Sequence, residues 1–132
     1  MPLPPFSLPA FDGSPHQFPT GRHALLCFVK EDCPTCVLSM PLIQAAAAAF
    51  GDSMDVWCIG QDDAGNRRLA AAFALTAPML DDSALHVSYR YDLDTVPTII
   101  LADGDGEELE RFIGFGKADW QALFQRLISV TL

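Results

Sequence analysis

Basic residues are scarce in this sequence. Eight Lys and Arg stand against 17 Asp and Glu, giving a formal net charge of −9. Phosphate binding needs a basic footprint, so no nucleic-acid partner is expected. An anionic membrane surface is disfavoured for the same reason. The opening Met1-Pro2-Leu3-Pro4-Pro5-Phe6 has no basic n-region, and the first Arg is Arg22, so it does not read as a secretory leader. No run approaches the roughly 18 apolar residues of a membrane span. The expected compartment is the cytoplasm, or the periplasm if a leader has been removed. Cysteine is scarce as well: four residues are too few for a disulfide-dense scaffold. There is no second Cys-x-x-Cys to complete a zinc ribbon, and the three histidines are scattered. Neither a metal nor an organic cofactor is expected.

Half of the 132 residues are hydrophobic, enough for one domain over 1–132 with its own core. Residues 1–22 are Pro-rich. Phe6-Ser7-Leu8 and His16-Gln17-Phe18 flank Asp12-Gly13, which predicts a small N-terminal hairpin before a core over 23–130. Ala24 to Val29 is a continuous apolar run, the signature of a strand buried on both faces. Pro34 to Phe50 reads as a helix: Pro34 suits the first helical position, and Ala45 to Ala49 has the highest helix propensity. Pro41 inside it predicts a kink. Met54 to Gly60 is a second strand. Asp62-Asp63 caps a helix from Ala64 to about Leu75. A shorter helix is predicted to begin at Asp82-Ser83. Val96 to Leu101 is a third strand, turned at Asp103-Gly104-Asp105-Gly106 into an antiparallel edge strand over Glu107 to Ile113. Lys117 to Val130 is an amphipathic helix with Trp120, Leu123, Phe124, Leu127 and Ile128 on one side. Alternation of strands and helices predicts an α/β fold, a central mixed sheet with helices on both faces.

Cys33-Pro34-Thr35-Cys36 lies where the first buried strand gives way to the first helix. Cys33 falls at the helix N-terminus, where free N–H groups and the helix dipole favour a thiolate. The thiolate is the nucleophile, so a lowered pKa makes this thiol reactive. Cys36 is one turn deeper, placed to attack a mixed disulfide at Cys33 and release the reduced substrate. Glu31 and Asp32 oppose the dipole, so the Cys33 thiol is expected to be lowered less than the helix alone would achieve.

These residues resemble the thioredoxin-like superfamily. The Cys33–Cys36 pair after a buried strand carries the likeness, with Pro41 five residues on, Thr95-Val96-Pro97-Thr98 opening a late strand, and Gly114 before the last helix. Phe6-Ser7-Leu8-Pro9 and the extra segment over 62–93 point within it to the TlpA/ResA-like branch, related to the AhpC/TSA redoxins. The resemblance implies a thiol–disulfide oxidoreductase with a cis Pro97 beside the cysteine pair and a Val96 backbone open to an extended substrate. It implies cell redox homeostasis as the setting. Two positions depart from thioredoxins: Asp32 stands where they have Trp, and Cys27 where they have a buried Asp.

The expected function is reduction or exchange of protein disulfides. Cys33 attacks, Cys36 resolves, and Pro34, Thr35, Val96 and Pro97 shape the substrate site. Glu31 is the nearest candidate for proton transfer, weighed against a solvated turn residue. The partners implied are a protein disulfide and a redox partner that restores the pair, with the chain a monomer. A peroxiredoxin-like peroxidase is the alternative, although Lys30 stands where its Thr or Ser would be. A redox-sensing or maturation module is a third. Cys27 and Cys58 fall on strands expected to be neighbours; core packing is favoured over a second disulfide or redox relay.

Overall fold

A computed structural model describes residues 2–132. At its centre is β3 (Ala24–Phe28), buried at all five positions. Its Ala-Leu-Leu-Cys-Phe sequence offers no polar side chain to solvent, so it is stable only with both faces covered. It pairs in parallel with β4 (Asp55–Gly60) and antiparallel with β6 (Thr98–Ala102). β5 (Met79–Asp81) extends the sheet beyond β4 in parallel, and β7 (Glu108–Ile113) extends it antiparallel beyond β6. The order is β5-β4-β3-β6-β7, a mixed sheet. The turn from β6 to β7 is held by Asp103, whose Oδ1 accepts the N–H groups of Asp105 and Glu107 at 2.9 and 3.0 Å. Gly106 there has φ +90°, a conformation that penalises a Cβ.

Two cores follow from the alternation of side chains across the sheet. One face sends Leu25, Cys27, Val29, Val56, Cys58, Ile99 and Leu101 against α1 (Pro34–Phe50), α4 (Lys117–Thr131) and Leu69 of α2 (Asp63–Ala72). α1 meets it with Cys36, Met40, Ile43 and Ala47, spaced as one face of a helix. The other face sends Leu26, Phe28, Trp57, Ile59 and Ile100 against Val87 and Tyr91, in and just after α3 (His86–Arg90). The predicted N-terminal hairpin completes this second face. It is β1 (Phe6–Pro9) paired antiparallel with β2 (Pro15–Phe18). Phe6 stacks on Phe18 and meets Trp57 and Tyr91 edge-on. Each large side chain fully removed from water contributes about 1.5–3 kcal/mol, so the hairpin is part of the core rather than an appendage.

The structure departs from the sequence reading in four places. α2 ends at Ala72, three residues short of Leu75, and Ala74 follows with φ +48°. β5 was not foreseen, because three residues carry too little periodicity to read. α3 begins at His86 rather than Asp82. Asp82 is instead buried, 1% exposed. Its carboxylate accepts Val87 N–H at 3.2 Å, and Ser88 N–H and Oγ–H at 2.9 Å each. It satisfies the first N–H groups of α3 from outside the helix. On α4, Trp120, Leu123 and Leu127 are buried as predicted, but Ile128 is half exposed. α1 matches its predicted bounds and runs on through Pro41.

Candidate active site

Cys33 is the N-cap of α1, with extended φ and ψ of −103° and 112°. A residue there lies beside N–H groups that no helical carbonyl reaches. One of them, Cys36 N–H, donates to Cys33 Sγ at 3.2 Å. Thr35 Oγ1 lies 3.2 Å from the same sulfur. When Cys33 is a thiolate, the Thr35 hydroxyl is the donor. The loop before the pair is fixed by Cys33 N–H donating to Lys30 O at 3.3 Å. Pro34 opens the helix at N1, where its missing N–H costs nothing.

The third wall comes from the segment before β6. The Val96–Pro97 peptide is cis, as the resemblance implied. Cys33 Sγ–H donates to Val96 O at 3.4 Å. Gly114 N–H donates to Pro97 O at 2.9 Å, tying the loop after β7 to the same wall. Cys33, Thr35, Val96 and Pro97 thus converge from parts of the chain some 60 residues apart.

The two thiols are held at different proton affinities. Partial burial pushes the Cys33 thiol up. The side-chain and backbone hydrogen bonds from Cys36 and Thr35 together outweigh that, and hold it below its ordinary value. Cys36 is fully buried. Burial first, then Cys33 beside it, push its thiol well above the ordinary range. The pair therefore has one ready nucleophile, partly exposed, and one latent nucleophile, sealed in the core.

The acids beside Cys33 are compensated in a way the sequence did not reveal. Both oxygens of Glu31 pair with Arg68 of α2, Oε1 at 2.9 Å from Nη2. That ion pair holds the Glu31 carboxyl below the usual carboxylate range. Asp32 lies 3.8 Å from Lys30 Nζ, and its charge bears on Cys36, which it pushes up. Hydrogen bonds from Cys36 and Thr35 are what hold the Cys33 thiol down, while Asp32 acts on the second cysteine. No sequence signal placed Arg68 near Glu31, because the contact crosses 37 residues.

Trp57 and Trp120 are buried, and His16 packs edge-on against Trp57. Among the described residues, no group of three His, Cys, Asp or Glu is arranged to hold a metal ion. No helix among them is long and apolar enough to cross a membrane.

Thr35→Val removes a hydroxyl donor and leaves the fold's shape unchanged. A hydrogen bond to a charged atom is worth about 1.5–3 kcal/mol, and partial exposure discounts it, so the Cys33 thiol pKa rises by about one unit. Thiolate absorbance followed against pH measures this; an unchanged titration would remove Thr35 from the site.

Comparison with known proteins places this geometry. StoA from Bacillus subtilis superposes with a TM-score of 0.78 at 24% identity, covering 92% of this chain and 96% of that one. A secreted Mycobacterium tuberculosis disulfide oxidoreductase homologous to E. coli DsbE superposes with a TM-score of 0.80 at 20% identity, covering 94% and 95%. The methylamine utilization protein MauD of Methylophilus methylotrophus is 29% identical over 129 residues, 94% of this chain. The chain spans only 60% of that relative's length. The superpositions define the class by its fold: this is a thioredoxin-like fold with a cysteine pair at the head of α1. More narrowly, the Redoxin family profile matches residues 1–122, and the chain belongs to the Redoxin family.

Proposed function

We propose that the protein reduces or exchanges disulfides in other proteins through Cys33 and Cys36. The observation that carries this reading is the position of Cys33 Sγ, partly exposed and receiving Cys36 N–H and the Thr35 hydroxyl. The Cys33 thiolate attacks a substrate sulfur, and the other substrate sulfur leaves as a thiolate. Cys36 then loses its proton and attacks Cys33 Sγ, which releases the second substrate thiol. The product is a Cys33–Cys36 disulfide, and an external dithiol partner returns its two electrons. Pro34 and Thr35 set the stability of the Cys33 thiolate. Val96, just outside the β6 ladder, is the backbone against which an extended substrate pairs, with Pro97 forming the adjoining wall. Exposed Val37 and Leu38 add apolar surface in the first turns of α1.

Glu31, bound to Arg68, takes no proton in this scheme; it anchors the loop that carries Cys33. Insulin reduction in the presence of dithiothreitol tests the function, and a rate unaffected by the protein with both thiols free would refute it. An extracytoplasmic setting is supported over the cytoplasm by the secreted Mycobacterium tuberculosis oxidoreductase. Fractionation of the native host measures it: recovery of the chain with cytoplasmic markers would return the compartment to the first expectation.

A further inference from the structure

The other two cysteines take no part in this chemistry, yet the fold brings them together. Cys27 in β3 and Cys58 in β4 are direct partners in the parallel register. Adjacent strands run about 4.8 Å apart, inside the roughly 4.4–6.8 Å span of Cα separations that a disulfide bridges. Both side chains enter the same core, between the sheet and α1, and both are fully buried. The two cysteines thus sit at paired positions of neighbouring strands and share one core. Joining them needs side-chain rotation, not a new strand pairing.

We propose that Cys27 and Cys58 form a second, buried dithiol/disulfide site, whose oxidant is a low-molecular-weight disulfide such as glutathione disulfide. One thiolate attacks a glutathione sulfur and expels a glutathione thiolate. The second thiolate then attacks the mixed disulfide and expels the other glutathione thiolate. The protein loses two electrons and two thiol protons, and glutathione disulfide gains both. The site differs from Cys33–Cys36 in kind. Burial pushes the Cys27 thiol far up, and no oxidant reaches it without local opening of the core. It therefore exchanges much more slowly than the exposed pair. Once formed, the link joins β3 to β4 and resists reductants.

The test equilibrates the native protein with glutathione disulfide, blocks remaining thiols, and maps the linked peptides by mass spectrometry. The expected result is two disulfides, Cys33–Cys36 forming first and Cys27–Cys58 later, with a mass loss of two hydrogens for each. A Cys33→Ser/Cys36→Ser double variant still forms the Cys27–Cys58 link, so this outcome is independent of the proposed catalysis. A second arm removes the barrier of burial: the double variant is oxidised while unfolded in urea, then refolded. Native circular dichroism and an unfolding midpoint above that of the reduced form are expected. The inference is overturned if Cys27 and Cys58 remain alkylatable after denaturation, if glutathione stops at a single-cysteine adduct, or if the linked chain fails to refold.

Discussion

Cys33→Ser brings insulin reduction down to the uncatalysed background, because a serine hydroxyl stays protonated where the thiol ionises. Cys36→Ser also abolishes turnover, but by a different route. Cys33 still attacks, and no second sulfur resolves the intermediate, so one equivalent of mixed disulfide accumulates and survives on a non-reducing gel. Retained turnover in either variant would overturn the assignment of roles. The pH dependence has a definite sign. The attacking species is the thiolate, so the rate rises with pH as Cys33 ionises. Hydrogen bonds from Cys36 and Thr35 favour the thiolate, so the acid limb lies below the ordinary thiol value of about 8.5. The Cys36 thiol is shifted up, and its linkage to stability runs the other way. The stability it contributes is full below about 8.5, where the unfolded thiol is protonated, and falls as pH rises beyond it.

Asp82→Ala lowers the stability of the fold by about 3 kcal/mol, read as a reduced urea midpoint at constant m. Three hydrogen bonds converge on this carboxylate, and its 1% exposure excludes water as a replacement. Truncation leaves Val87 N–H and Ser88 N–H buried at the start of α3 with no acceptor. Asp82→Asn preserves shape and one acceptor oxygen, so about half the loss is expected. A functional effect follows through position alone. α3 leads to Tyr91, packed against Phe6 and Phe28, and from there the chain runs to Val96. Loosening α3 is therefore expected to raise KM for a protein substrate more than it lowers kcat. An Asp82→Ala protein with wild-type urea stability would show that the carboxylate is dispensable.

Much of the site was legible because its signals are local. A Cys-Pro-Thr-Cys run shortly after six apolar residues needs only the strand-to-helix junction to place Cys33 among free N–H groups, and the structure has that junction. Pro41, Pro97 and Gly114 were readable as landmarks of the resemblance. The hairpin over residues 6–18 was readable because short alternating segments flanked Asp12-Gly13. What could not be read is what depends on contacts between distant segments. Asp82 looked like the opening of a helix, since an acid before a serine has the same local pattern whether it caps a helix or is buried across from one. β5 has too few residues for a period. Glu31 looked free to move protons because Arg68 is distant in sequence.

The sequence sufficed for the class of chemistry and for the order of the elements apart from β5. A reactive thiol needs a helix N-terminus, and a doubly buried strand needs helices over it; both requirements are written within a few residues. The tertiary structure decided how that chemistry is tuned and what surrounds it. It paired Glu31 with Arg68, brought Val96 against Cys33 Sγ, and closed the sheet's second face with the hairpin. It also set Cys27 and Cys58, on strands expected to be neighbours, directly opposite each other in register. Electrostatic and sulfur–sulfur interactions act over a few ångströms of space, and only the fold converts tens of residues of chain into that distance.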